Sequence, residues 1–181
     1  NLFLKKKYFI CYEIKSLPLT KIVKIKVDSF KQLGSDRIAN AIASYILFKT
    51  NCLVVDFGTA TTFDIIKKPG IYRGGVIAPG VKLSIMNLNK YTSALPSFKL
   101  KINKKNYGKN TIDALNAGFL WGYQGLINNI IKKISESFKC NFKIILTGGY
   151  AEMFSKLVKN KSLIDQNITI KGIMYIYKFL I

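Results

Sequence analysis

Apolar positions along this chain alternate between two spacings, and the alternation divides it into elements. From Asp36 the residues Ile38, Ala41, Ile42, Tyr45 and Ile46 recur three and four apart, which predicts a helix to about Phe48. "NCLVVDFG" is a short continuous apolar run that suits a buried strand. "TATTFDII" (Thr59–Ile66) follows, rich in β-branched residues, then a Lys-Lys-Pro-Gly turn and "IYRGGVIAPG". These read as strands joined by tight glycine turns. Helical spacing returns at Val81–Leu88 and from Thr111 through Ser137, the latter interrupted by Gly118, Gly122 and Gly125. "NFKIILTGG" predicts a further strand, with a helix from about Ala151. The tail "IKGIMYIYKFLI" suits strand or helix by composition. Near the start, "YFICYEI" (Tyr8–Ile14) and "KIVKIKV" (Lys21–Val27) read as strands, with Pro18 in the turn between them. No internal repeat or low-complexity linker interrupts this order, which indicates mixed α/β architecture.

Composition narrows the picture. With 181 residues, 49% of them hydrophobic, the chain can bury a sizeable core. Its longest apolar runs, such as Ala41–Phe48, fall well short of the ~18 residues that a membrane-spanning helix needs. No signal-like leader is evident, so a cytoplasmic location is the expectation. The absence of histidine excludes zinc sites of the usual kinds and every Ser-His or Cys-His catalytic arrangement. Cys11, Cys52 and Cys140 each stand among apolar residues and read as small buried hydrophobes.

The net charge of +20 comes from 29 basic residues, all but two of them lysine. Spread among abundant Ile, Asn, Tyr and Phe, those lysines look like an AT-rich coding bias acting on tolerant surface positions. Specific nucleic-acid readers favour arginine for bidentate contacts, so no specific nucleic-acid partner is expected. The densest basic stretch, "KLKINKKNYGKN" (Lys99–Asn110), reads as a solvated loop. Against that background Arg37 and Arg73 stand out as positions where a lysine's point charge would not serve.

Three short stretches carry candidate chemistry. In "DFGTATTFD", Gly58 removes the Cβ that would block close approach of a polyphosphate. Backbone N–H groups and the hydroxyls of Thr59, Thr61 and Thr62 can donate to phosphate oxygens, and Asp56 can hold a cation nearby. The plain alternative is a structural hairpin. "TGGYA" (Thr147–Ala151) sets a glycine pair between a strand and a helix start, where a base or phosphate could rest against the backbone; an ordinary connecting loop fits equally. "GSDR" (Gly34–Arg37) puts a carboxylate beside a guanidinium at a helix start. Asp36 is thereby a candidate general base and Arg37 a fork for a substrate carboxylate, or Ser35 or Asp36 is merely an N-cap. Asn110 and Thr111 look first like a cap for the long helix.

Taken together, the order of GxDR, D-x-G-T-x-x-T, "YRGGVIAPGV", "YTSALP", "GKNTIDALNAG" and "ILTGG" resembles the type III pantothenate kinase family, from about Lys21 to Phe179. The resemblance implies an α/β fold, the two-domain actin-like ATPase (ribonuclease H-like) fold, and ATP-dependent phosphorylation of pantothenate. It implies that Asp36 takes the proton from the pantothenate hydroxyl, with Gly34, Ser35, Arg37 and Thr111 contacting that substrate. Asp56 would bind a monovalent cation, K+ or NH4+, and Gly58, Thr59, Gly148 and Gly149 would line the site for ATP with Mg2+. A homodimer is implied as well, with no membrane partner.

Two departures from the family pattern bear on these expectations. The opening "NLFLKKKYFICYEI" has no counterpart of the family's D-x-G-N-T phosphate hairpin, and Val27 stands where the family usually has a tyrosine. The first domain is therefore expected to be incomplete, with residues 1–50 as its remainder and 51–181 as the C-terminal subdomain. Lacking one phosphate turn, a chain of this extent is expected to bind ATP poorly and to leave strand edges uncovered. A catalytically inactive paralogue or an accessory transcription regulator on the same scaffold is the alternative reading.

Overall fold

The computed structural model describes residues 10–93, 95–102 and 106–181. Six strands, β1 (Lys24–Ile25), β2 (Cys52–Phe57), β3 (Ala60–Lys67), β4 (Ile71–Pro79), β5 (Lys143–Gly148) and β6 (Ser162–Ile164), form one mixed sheet in the order β1-β4-β3-β2-β5-β6. The strands β2, β3 and β4 make an antiparallel meander. On one side β5 and β6 extend it in parallel, and on the other β1 pairs in parallel with β4. Among the described residues five α-helices accompany them: α1 (Ser35–Phe48), α2 (Val81–Lys90), α3 (Thr111–Phe138), α4 (Ala151–Ser155) and α5 (Ile168–Leu180).

The continuous apolar run of β2 reflects burial of both its faces. Leu53, Val55 and Phe57 join Phe63 and Ile65 of β3 in a core shared with Leu120, Tyr123, Ile127, Ile131 and Ile134 of α3. Cys52 and Val54 face the other way and meet Ile66, Tyr72 and the stripe Ile38, Ala41 and Ile42 of α1, with Ile168 and Ile176 of α5. The sheet is thus covered by α2, α3 and α4 on one face and by α1 and α5 on the other. Helices α1 and α5 approach closely because Gly172 has no side chain: a Cβ there would run into the Ala39 carbonyl.

Most predicted elements form within a residue or two of their expected limits. The three glycines of α3 do not break it, since their outward positions are open, with nothing within 4 Å of an added Cβ. The ambiguous tail is helical. Residues preceding α1 differ most from expectation. Tyr8 and Phe9 lie outside the described residues, Ile10–Glu13 have no regular structure, and of Lys21–Val27 Lys24–Ile25 pair in the sheet. Instead the segment winds through 3-10 turns at Ile14–Ser16, Leu19–Lys21 and Phe30–Gln32. Leu19 and Val23 reach the same core from these turns. Strand β6 was not anticipated; three residues are too few to set a period. The cysteines divide, with Cys52 buried as expected, Cys140 half-buried and Cys11 exposed. Of the basic stretch Lys99–Asn110, residues 103–105 lie outside the description, as does Ala94 of "YTSALP"; Leu100 is buried among exposed neighbours. No helix among the described residues is long and apolar enough to cross a membrane.

Candidate active site

The carboxyl ends of β2 and β5 lie side by side, Asp56 opposite Thr147 and Phe57 opposite Gly148. Register with β3 sets Asp56 against Thr62 and Phe57 against Thr61 across the turn through Gly58 and Thr59. Gly58 and Thr59 are exposed, and the Gly58 N–H donates to the Ala60 carbonyl at 3.0 Å, closing a tight turn. Thr61 is buried and donates to the Pro79 carbonyl at 3.1 Å, so its hydroxyl is committed to the scaffold. Gly148 has φ +85°, and a Cβ on it would sit 2.8 Å from Asp56 Oδ1. That position suits glycine on two counts, its left-handed backbone and its contact with the carboxylate. Its N–H donates to Gln166 Oε1 at 3.1 Å, while the space at Gly149 is open.

Helix α1 begins beside this turn. Its N-cap is Gly34, with no side-chain cap bond; Asp36 Oδ1 instead accepts from the Arg37 N–H at 2.9 Å and closes over Gly34. Asp36 is exposed. One turn on, the fully buried Asn40 donates to Asp56 Oδ2 at 3.2 Å and accepts from the Thr169 hydroxyl at 2.7 Å, tying α1 to both β2 and α5. Arg37 reaches across to β3, where its Nε donates to Asp64 Oδ1 at 2.7 Å. The Tyr72 hydroxyl donates to the same oxygen at 2.8 Å.

Electrostatics follow from this burial. Desolvation pushes the Asp56 carboxyl above the ordinary aspartate range, against the Asn40 hydrogen bond, and the Asp36 charge adds to the rise. Asp64 is pushed up to about 6 by burial, in spite of the Arg37 charge and the hydrogen bonds from Tyr72 and Arg37. Asp36 raises it further, so its charge acts on both Asp56 and Asp64.

Among the residues anticipated from sequence, the structure brings together Asp36, Arg37, Asp56, Gly58, Thr59, Gly148 and Gly149 at this end of the sheet. Thr111 stands elsewhere, exposed at the start of α3, on the wall of an apolar groove of about 570 Å³ between α2 and α3. Asn110 caps that helix as expected, its side chain accepting from the Asp113 N–H. Val27 approaches Gly74 on β4, with Cγ1 4.0 Å from the place of a Cβ there. Arg73 is exposed and its guanidinium lies 6.0 Å from the Phe138 ring centroid, a cation–π contact shared with Lys67 at 5.8 Å. Sequence reasoning missed Asn40, Asp64, Tyr72 and Thr169. The first two left a trace, since each is a polar residue inside an apolar run; the others left none.

The donor set is oxygen-rich and holds no soft ligand. Among the described residues no group of three or more acidic or cysteine side chains gathers in a way that could hold a metal. Asp56, half-buried with one oxygen against the Gly148 backbone, suits a cation, whose charge would offset the cost of its burial.

A family model described as type III pantothenate kinase matches residues 4–133. The type III pantothenate kinase of Pelagibacter ubique is 51% identical over 175 residues, spanning 96% of this chain and 69% of that protein. Those of Sulfurihydrogenibium sp. and Paramagnetospirillum magneticum are 38% and 35% identical, over 87% and 86% of this chain. The chain spans 62% and 60% of those two proteins' lengths. Among solved structures, a conserved Baf family protein from Campylobacter jejuni, titled a transcriptional activator, superposes with a TM-score of 0.68 at 24% identity, covering 98% of this chain and 76% of that one. The Alp12 filament structure matches with a TM-score of 0.54 at 19% identity, over 78% of this chain and 51% of that one. At such identities both speak to the fold alone, and it is the actin-like one. With the sequence relatives and the family match in agreement, the chain belongs to the type III pantothenate kinase family.

Proposed function

We propose that the protein phosphorylates pantothenate with ATP, the first step of coenzyme A synthesis. The observation that carries this reading is the Asn40–Asp56 bond, which brings the start of α1, with Asp36 and Arg37, against the glycine- and threonine-rich turn after β2. Asp36 takes the proton from the pantothenate hydroxyl; its exposure leaves it open to a substrate. Gly34, Ser35 and Arg37 contact the same substrate; Thr111, which stands apart from them on the groove between α2 and α3, is read as a further contact on the family resemblance alone. Gly58, Thr59, Gly148 and Gly149 receive ATP, where missing side chains allow the backbone to approach the nucleotide. Asp56 holds K+ or NH4+. When bound, that cation and magnesium supply positive charge that offsets the charge developing on the transferred phosphoryl group. A cytoplasmic homodimer belongs to the same reading, on the strength of the family resemblance. The segments 1–50 and 51–181 are read as parts of two actin-like subdomains.

A regulatory protein on the same scaffold is the alternative. The presence of Asp36, Arg37, Asp56 and Thr59 together favours catalysis, because a regulator has no use for a base beside an anion fork. The test is pantothenate-dependent ADP release by the full-length protein with ATP, Mg2+ and K+. Asp36→Asn is expected to lower kcat by about 100-fold or more, the usual contribution of a general base, with the fold intact. Undiminished turnover in that variant would remove Asp36 from the mechanism, and no turnover in the parent protein would favour the regulator.

A further inference from the structure

Asp64 has no role in the reading above, yet the structure invests heavily in it. It is completely buried, a rare state for a carboxylate. Two donors converge on its Oδ1: Arg37 Nε at 2.7 Å from α1 and the Tyr72 hydroxyl at 2.8 Å from β4. The Thr62 hydroxyl reaches Oδ2 at 3.5 Å. Pairing between β3 and β4 shifts register between Asp64 and Ile66, a bulge of the kind that re-aims a side chain. Opposite Asp64 in that pairing is Gly75, where a Cβ would run into the Phe63 carbonyl and would also lie 2.6 Å from Arg37 Nη2. Asp64, fixed by the Tyr72 hydroxyl on β4, therefore anchors the guanidinium that reaches it from the start of α1.

Stability does not account for this. A buried ion pair is often no better than apolar side chains of the same volume, because desolvation consumes what the attraction returns. The pair is also incomplete. Asp64 engages Nε, while Arg37 Nη2 is buried without a hydrogen-bond acceptor. A protein that spends a buried carboxylate on one edge of a guanidinium, and leaves a terminal nitrogen unpaired, has fixed where that group stands.

We propose that Asp64, backed by the Tyr72 hydroxyl, is a positioning residue: it holds Arg37 by Nε so that the edge of the guanidinium still open to solvent stands ready, beside Asp36, for an oxygen of the acceptor substrate. The inference rests on the proposed kinase function for its substrate, but the clamp itself is a property of the chain and is measurable without turnover. Lysine in place of Arg37 has no planar edge to be gripped, which explains a guanidinium at this site in so lysine-rich a chain.

The experiment uses the full-length protein and the variants Asp64→Asn, Tyr72→Phe, Arg37→Lys and the double variant Asp64→Asn/Arg37→Lys. The Arg37 Nε–H resonance, identified by its loss in Arg37→Lys, is expected to be protected from solvent exchange in the parent protein. In Asp64→Asn it is expected to shift and to exchange faster. In kinetics, Asp64→Asn is expected to raise the KM for pantothenate about tenfold, the scale of one charge-assisted contact, while the KM for ATP stays within about twofold. Tyr72→Phe moves the same ratio in the same direction by less, and it serves if Asp64→Asn does not fold. The double variant is expected to be no worse than Arg37→Lys alone, since the two residues act through one group. An unprotected Arg37 Nε–H in the parent protein, an unchanged pantothenate KM in folded variants, or losses that multiply in the double variant would each overturn the proposal. Protection of Nε–H in a protein that does not phosphorylate pantothenate would uphold the clamp and sink the kinase reading alone.

Discussion

Replacing Asp64 by asparagine sets burial against ion pairing within one residue. Asparagine keeps an acceptor oxygen in nearly the same shape and removes the titratable charge. Burial holds the Asp64 carboxyl at about 6, against an ordinary value of 3.8, even with Arg37 at 2.7 Å. That gap of about two pH units corresponds to ~3 kcal/mol at ~1.4 kcal/mol per unit. The sign follows from proton counting. Between about pH 4 and pH 6 the folded chain holds a proton on Asp64 that the unfolded chain has released, so stability falls as pH rises through that window. The stability associated with the neutral acid is complete below pH ~4 and gone above pH ~6. Asp64→Asn has no such titration, and Asp56, present in both proteins, cancels to first order in the difference. The stability of the parent protein minus that of the variant should therefore drop by ~3 kcal/mol across this window and be flat on either side. Urea unfolding at a series of pH values measures it, followed by the fluorescence of Trp121, the chain's single tryptophan. A difference that rises with pH would mean that Arg37 outweighs burial, and a flat one that Asp64 is not titrating in this range; either result refutes the reasoning.

Further outcomes follow from the packing. Alanine is the better helix former by ~1 kcal/mol, so Gly125→Ala in α3, where nothing crowds the added Cβ, should stabilise by about that amount. Gly172→Ala in α5 should do the reverse and cost ~1–3 kcal/mol, because its Cβ meets the Ala39 carbonyl and forces the helices apart. Thermal unfolding of the pair checks both signs at once, and a gain in each would mean that α1 and α5 are not in close contact. Asn40→Ala removes the donor to Asp56 and the acceptor for Thr169, and should cost ~2–3 kcal/mol by chemical denaturation. A loss below ~0.5 kcal/mol would show that the buried bridge is not formed.

Legibility from the sequence followed the range of the interactions involved. The helix from residue 35 and the strands β2 to β5 were readable because each carries its own period, and a period is a local property. The GSDR and DFGT stretches could be singled out because their turn and cap chemistry lies in adjacent residues. Segments without a period of their own were misjudged. The residues before α1 are apolar enough for strands, but their spacing serves a core assembled by α1, β4 and α5. Strand β6 exists because β5 offers it an edge.

The catalytic candidates divide in the same way. That Asp36 and Arg37 lie at a helix start, and Asp56 and Thr59 at a strand-ending turn, was written in neighbouring letters. That these two places adjoin depends on Asn40, 16 residues from Asp56, and on Thr169, a further 129 residues from Asn40, whose side chains meet once the sheet and both helices have packed. Arg37 offers the sharpest case. Its scarcity marked it as special, but the buried carboxylate that holds it, Asp64, lies 27 residues away and was not anticipated. Identity, period and turn chemistry are encoded within a few residues of chain, whereas the pairing of buried charges is decided by which surfaces exclude water together, and that is settled when the layers close.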